Sequence, residues 1–364
     1  MSIFVLMAGG TGGHLFPAMA LAQELRRRGH MIHLITDDRM TQHGDRFPAR
    51  EVYVVPSATP SIRNPFKLVQ AVVKIGMGVF VASKLLRQIR PDAVIGFGGY
   101  PVFPPFLAAR LVGVAGILHE QNAVLGRANR ALARFAALLA LSFEKTKYAD
   151  GTGVEKVVTG NPVRDRVRDT AKGIVYAPLK TGQPIRLLVF GGSQGARAFA
   201  DLVPPALAAL PAAIRKQLRV TQQCRPEDLE RVTEAYRHAK ISVELAAFFD
   251  DLPERMADSH LVICRSGAST VAELAALGRP AVLIPLPGSL DGDQKNNAAF
   301  LEEAGGGWLV EQATVSPQSL ATRLEGLFEN PQALSTAADK AKALGQPHAV
   351  ERLADMAEKV ATKR

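Results

Sequence analysis

Short apolar runs alternate with glycine-containing polar turns along this chain, and helical patterning follows most of the turns. Ile3–Ala8 is the first such run, and Gly9-Gly10-Thr11-Gly12-Gly13-His14 is its turn. The spacing predicts a helix from about Phe16 to Arg28, with Pro17 in its first turn and Gly29 just past its end. Met31–Thr36 reads as the next strand, closing a βαβ unit. Further runs end at Phe97, before Gly98-Gly99-Tyr100-Pro101, and at His119, before Glu120-Gln121-Asn122. Leu125 to Leu141 reads as helix and then strand. Val157–Thr159 leads into Gly160-Asn161-Pro162, a turn cluster that marks the expected domain boundary.

The second half restarts the pattern. Leu187–Phe190 is a strand and Gly191-Gly192-Ser193-Gln194-Gly195 its turn, with Gly191 falling 182 positions after Gly9. The stretch from Leu261 to Ala298 is the clearest single unit. Leu261–Cys264 is a strand ending at Arg265-Ser266-Gly267. Thr270 and Glu273 have capping-box spacing, and Val271, Leu274 and Ala275 share a helical face. Gly278 and Pro280 stop that helix, and Pro280–Pro285 reads as a second buried strand. Polar residues thus collect where strands end, which is where parallel sheets bind ligands. Ser316 to Arg364 reads as helical, broken at Gly345-Gln346-Pro347.

Length and composition narrow the classes. A chain of 364 residues with 47% hydrophobic positions suits two α/β domains, expected here over 1–162 and 163–345, with a last helix in 346–364. The first residues enter a strand directly, so no signal peptide is expected. Cys224 and Cys264 show no metal spacing and suit a reduced compartment. The net charge of +10 is concentrated: residues 1–162 hold 19 Lys/Arg against 10 Asp/Glu, and residues 163–364 hold 25 against 24. A basic first half implies an anionic partner, and no zinc-finger spacing, aromatic RNA-binding motif or basic tail points to nucleic acid.

Asn64 to Arg90 has more apolar surface than one core-facing stripe needs. Its charged residues, Lys67, Lys74, Lys84, Arg87 and Arg90, are all basic. Gly76 and Gly78 predict a bend or two shorter helices. Lys74 and Gln70 make the segment too polar to span a bilayer. It reads as a helix resting on an anionic leaflet, or else as a buried helix with a solvated basic edge.

The glycine-rich turn at 9–13 is no dinucleotide fingerprint, because Leu15 replaces the third glycine, and no Lys makes it a P-loop. Open backbone before a helix suits a phosphate; a tight strand-to-helix turn is the alternative. In order, the segments AGGTGGHLFP, GFGGYP, HEQNAVLGRANR, TGNPVR, FGGSQGAR and RSGASTVAELAALGRPAVLIP with DQKNNA resemble the nucleotide-sugar glycosyltransferases of the GT-B fold. The closest resemblance within that family is to the members that extend the lipid-linked muramyl-peptide precursor of peptidoglycan. It covers roughly residues 3 to 310.

The resemblance implies two Rossmann-like parallel-sheet domains facing across a cleft, with the last helix crossing back to the first domain. It implies an inverting transfer of N-acetylglucosamine from UDP-N-acetylglucosamine (UDP-GlcNAc). The acceptor is the 4-hydroxyl of an undecaprenyl-diphosphate-linked N-acetylmuramyl-pentapeptide, and the site is the cytoplasmic face of the inner membrane. On the donor side it implies Thr11, Gly12, Gly13, His14, Asn122, Arg164, Ser193, Phe249, Glu273, Asp293 and Gln294. On the acceptor side it implies Gly10, Gly99, Tyr100 and Asn122. Glu273 would take the ribose hydroxyls, or only complete the capping box with Thr270. Arg164 would close on the diphosphate, or be a solvated arginine beside Arg166 and Arg168. Asp293 departs from the Gln or His usual in the family and creates Asp291-Gly292-Asp293, which mimics the metal motif of the other glycosyltransferase class. The remaining motifs favour GT-B, so neither a metal nor another cofactor is expected. His14 is the first choice for general base and Glu120 the second; His119 reads as structural. Two alternatives stay open: a transferase of another lipid acceptor such as diacylglycerol, and a non-catalytic UDP-sugar-binding protein.

Overall fold

The computed structural model describes residues 1–9, 12–38, 47–59, 65–180, 182–192 and 197–362. The chain divides into two compact units. The first is Met1–Asp165 together with Pro347–Arg364, and the second is Arg166–Gln346.

Among the described residues the first unit holds seven strands: β1 (Ile3–Met7), β2 (Met31–Thr36), β3 (Glu51–Val54), β4 (Ala93–Gly96), β5 (Gly116–Glu120), β6 (Leu138–Leu141) and β7 (Lys156–Val158). All pair parallel in the order β3-β2-β1-β4-β5-β6-β7. The order reverses between β1 and β4, so the loops after these two strands open the crevice at the switch point. Alternation along β1 divides it between two cores. Phe4 and Leu6 pack with Leu21 and Leu25 of the Gly12–Arg27 helix on one face. Val5 and Met7 pack with Ala82, Leu86 and Phe106 on the other. Leu353, Ala354 and Ala357 of the Ala349–Ala361 helix join the first of these cores.

The second unit holds β8 (Ile185–Phe190), β9 (Leu218–Gln223), β10 (Ser242–Ala246), β11 (Leu261–Cys264), β12 (Ala281–Leu283) and β13 (Gly307–Leu309). Its parallel order is β10-β9-β8-β11-β12-β13, with the switch point between β8 and β11.

Four expectations need correction. The first helix begins at Gly12 rather than near Phe16, so Gly12, Gly13 and His14 form its first turn instead of a loop. The helix after β11 begins at Ala268 with Gly267 as its N-cap and no side-chain cap, so Thr270 and Glu273 form no capping box. Pro65–Ile89 is one continuous 25-residue helix and not two shorter ones. By length and composition alone it is also apolar enough to cross a membrane, against the reading that Lys74 and Gln70 make it too polar. One stripe of that helix is nevertheless committed to the first unit: Ala71, Ala82 and Leu86 are buried. The opposite side exposes Phe66, Val69, Val73, Met77 and Phe80, flanked by exposed Lys67, Lys74 and Lys84.

Candidate active site

In the first unit the site is built where β1, β4 and β5 end. Ala8 and Gly9 lead from β1 to the helix that carries His14. Gly98 and Gly99 follow β4, both with positive φ (81° and 79°), a conformation that favours glycine. They also leave room for the His14 ring. A Cβ on Gly99 would stand 3.3 Å from His14 Cδ2 and 3.4 Å from Nε2, and one on Gly98 3.5 Å from Cε1. Tyr100 begins a single 3-10 turn and is half-buried. His14 Nδ1 lies 3.0 Å from Oε1 of Gln121, from the loop after β5.

Glu120 ends β5 with 2% of its surface exposed. Its Oε1 accepts from the backbone and side-chain N–H groups of Asn122, at 3.0 and 3.1 Å. Its Oε2 accepts from the Gly126 N–H and from Asn129 Nδ2, both at 2.8 Å. A carboxylate surrounded by four donors is the anchor of the 120–129 loop. Its lone pairs are engaged, which argues against the second-choice base role. Asn122, expected to touch both substrates, spends one amide N–H on the same anchor.

His119 is fully buried and behaves as a structural histidine. Desolvation pushes its imidazole down to about 4. Gln121 Nε2 lies 2.9 Å from His119 Nδ1 and 3.0 Å from the His119 carbonyl oxygen, and His119 Nε2 lies 3.1 Å from the Gly160 carbonyl oxygen. Arg164 belongs to the first unit, with its guanidinium carbon 4.0 Å from the centroid of Phe16 on the first helix. It is half-buried and packs on the helix that carries His14. Asn161 is 8% exposed, and neither polar atom of its amide has a partner among the described residues.

In the second unit the loop after β11 is held from several sides. The Arg265 guanidinium, 8% exposed, donates to the carbonyls of Ile284 and Pro285 at 2.9 and 3.0 Å and to Gln312 Oε1 at 2.6 Å. Burial lowers its pKa, yet these acceptors suit the charged form. Ser266 Oγ donates to the Gln294 carbonyl at 2.8 Å, and Asn297 Nδ2 donates to the Ser266 carbonyl at 3.1 Å. Asn297 thus supports this loop from the Asp293–Glu303 helix.

Gln294 Oε1 accepts from the Leu286 N–H at 2.9 Å, which fixes the amide with its N–H₂ available to a sugar hydroxyl. Asp293 Oδ1 accepts from the Gln294 N–H at 2.7 Å, at the start of the same helix. Glu273, 6% exposed, stands in the helix behind Gly267. Phe249 is buried beneath the Arg255 guanidinium, whose carbon is 4.4 Å from the ring centroid, whereas Phe248 is exposed. Among the described residues, no group of three or more His, Cys, Asp or Glu side chains is placed to hold a metal. Gly10, Thr11 and Ser193, expected to bind phosphate or acceptor, lie outside the described residues.

The sequence reading missed three organisers of this site: Gln121, Asn129 and Arg265. Gln121 and Arg265 act through partners 107 and 47 positions away, and Asn129 reaches back across its own loop to Glu120, so a local pattern carries no sign of these bonds.

Each unit thus carries its polar residues at the ends of parallel strands beside a switch point. Residues 4–141 match the glycosyltransferase family 28 N-terminal domain, and residues 186–353 match the glycosyltransferase family 28 C-terminal domain. The chain belongs to glycosyltransferase family 28. Family 28 relatives extend over its full length. A Rhizobium rhizogenes protein is 49% identical over 363 residues, covering 100% of this chain and 96% of its own. A Methylobacterium radiotolerans protein is 50% identical over 361 residues, covering 99% and 98%. Both are named UDP-N-acetylglucosamine--N-acetylmuramyl-(pentapeptide) pyrophosphoryl-undecaprenol N-acetylglucosamine transferase. Among solved structures, Acinetobacter baumannii MurG is similar at a TM-score of 0.78 and 32% identity, covering 98% of this chain and 99% of that one. The two units are those of the GT-B fold, and the family 28 chain is a glycosyltransferase.

Proposed function

We propose that this chain transfers N-acetylglucosamine from UDP-GlcNAc to the 4-hydroxyl of the muramyl sugar carried on undecaprenyl diphosphate. The full-length identity to relatives named for that reaction is the observation that carries the reading. The second unit takes the donor. Glu273 accepts from the ribose diol, the backbone near Phe249 meets the uracil edge, and Gln294 and Asp293 meet the sugar. The first unit takes the acceptor, with Gly99, Tyr100 and Asn122 beside it. Arg164 and the first turn of the Gly12–Arg27 helix supply positive potential for the diphosphate.

In the transfer, His14 removes the proton of the 4-hydroxyl as that oxygen bonds to the anomeric carbon. The bond from that carbon to the diphosphate oxygen breaks with its electron pair, releasing UDP and inverting the configuration. Glu120 holds the loop beside this chemistry. The exposed apolar side of the Pro65–Ile89 helix and its basic rim rest on the anionic cytoplasmic face of the membrane, where the acceptor resides.

Turnover of labelled UDP-GlcNAc with the muramyl lipid, with diacylglycerol, and with neither tests the reading. Product only with the muramyl lipid is expected. Product with diacylglycerol instead, or binding without turnover, would overturn it.

A further inference from the structure

The bonds around Gln121 have a single consistent arrangement of protons. Two backbone carbonyls, which only accept, fix it. The Gly160 carbonyl, 3.1 Å from His119 Nε2, requires a proton on that nitrogen. The His119 carbonyl, 3.0 Å from one end of the Gln121 amide, requires that end to be the N–H₂. The second hydrogen of the N–H₂ then meets His119 Nδ1 at 2.9 Å, so Nδ1 bears a lone pair and the imidazole is neutral. Desolvation of this buried ring favours the same neutral form. The opposite end of the amide is now the carbonyl, and it faces His14 Nδ1 at 3.0 Å. An oxygen there accepts, so His14 Nδ1 carries the hydrogen.

We propose that Gln121 and His119 are positioning residues that hold His14 in its Nδ1–H tautomer and leave the lone pair on Nε2. The proposal rests on the reading of His14 as the base, because it supplies what that reading requires of the ring. Nε2 is the nitrogen beside Gly99, where the absence of a side chain leaves space for an acceptor hydroxyl. Gln121 is 1% exposed and His119 0%, so water does not compete for these bonds. A carboxylate in place of the amide would also accept from Nδ1, but its charge would favour the imidazolium. The neutral amide orients the ring without adding a charge that would hold it in the protonated form.

Nitrogen-15 NMR of the histidine rings in the intact protein reads the tautomer directly. His14 is expected with Nδ1 protonated and Nε2 bare, and His119 with the reverse. Nε2–H at His14 in the unsubstituted protein overturns the proposal. Gln121→Met keeps the length of the side chain and removes all three bonds of the amide. The His14 signal should then move toward a tautomer mixture, and kcat should fall by about tenfold or more. The KM for UDP-GlcNAc should stay within about twofold, which also reports an intact fold. An unchanged His14 tautomer in this variant overturns the proposal. The base reading fails separately: if His14→Ala kept its turnover while the tautomer behaved as described, the lock would stand and another group would be the base.

Discussion

A Cβ on Gly78 would lie 2.1 Å from the carbonyl oxygen of Pro56 and 2.9 Å from Cβ of Pro104. The glycine in the middle of the long helix is therefore a contact and not a hinge. It lets the helix lie against the segment after β3. Gly76, two residues earlier, has nothing within 4 Å of its Cβ position. Gly78→Ala should destabilise the first unit by about 2 kcal/mol through overpacking. Gly76→Ala should stabilise it by up to about 1 kcal/mol through helix propensity. Denaturant midpoints of the two variants check this, and equal shifts of the same sign would refute the packing account.

Glu273 has no capping box to complete, because its helix begins at Ala268. Glu273→Ala should weaken UDP-GlcNAc binding by roughly 2 kcal/mol, the loss of a charged hydrogen-bond partner. Isothermal titration measures this. Lower thermal stability with unchanged donor affinity would mean that the carboxylate serves the fold alone.

The apolar side of the Pro65–Ile89 helix exposes Phe66 at 82% and Phe80 at 73%, too large an area for a core helix to leave in water without a reason. Replacing Lys67, Lys74 and Lys84 with Glu should reduce flotation with anionic vesicles and slow use of the long-chain acceptor. A short water-soluble acceptor should be used nearly as before. Binding of the unsubstituted protein should weaken in high salt. Unchanged vesicle binding in the triple variant would place the membrane contact elsewhere.

The buried His119 makes stability depend on pH. Its folded pKa of about 4 lies below the model-peptide value of 6.5. Between those values the unfolded chain binds the proton and the folded one does not, so stability rises with pH. The contribution is complete above 6.5 and is lost as pH falls toward 4, by up to about 3 kcal/mol. The denaturant midpoint of the first unit should drop between pH 7 and pH 5, and His119→Asn should flatten that slope. A slope unaffected by the substitution would assign the acid sensitivity to other groups.

The strand-and-turn framework was legible because strands such as Ile3–Met7 and Leu261–Cys264 are continuous apolar runs ended by glycine. Buried parallel strands leave that mark directly. Helix starts were harder to read. Gly12 and Gly13 have poor helix propensity, yet they lie in a helix because packing of Leu15, Ala18 and Leu21 decides the segment. Thr270 and Glu273 matched a local signature that loses to an earlier start at Gly267. Gly78 read as flexibility because the oxygen that needs its space belongs to another segment. For the site, the residues at strand ends could be named in advance. Their bonds could not, since Gln121 and His14 are 107 positions apart.

The second unit is one unbroken stretch, Arg166–Gln346, whereas the first is made of two. Ribosomal synthesis runs from the N-terminus, so every residue of the second unit leaves the ribosome before the first has its full complement. Leu353, Ala354 and Ala357, which fill the core against the Gly12–Arg27 helix, come last. Until they emerge, the first-made half has an open apolar groove along that helix. Nascent chains arrested short of residue 347 should therefore be retained by chaperones and cut by protease within the first 165 residues, while the later-made half already resists.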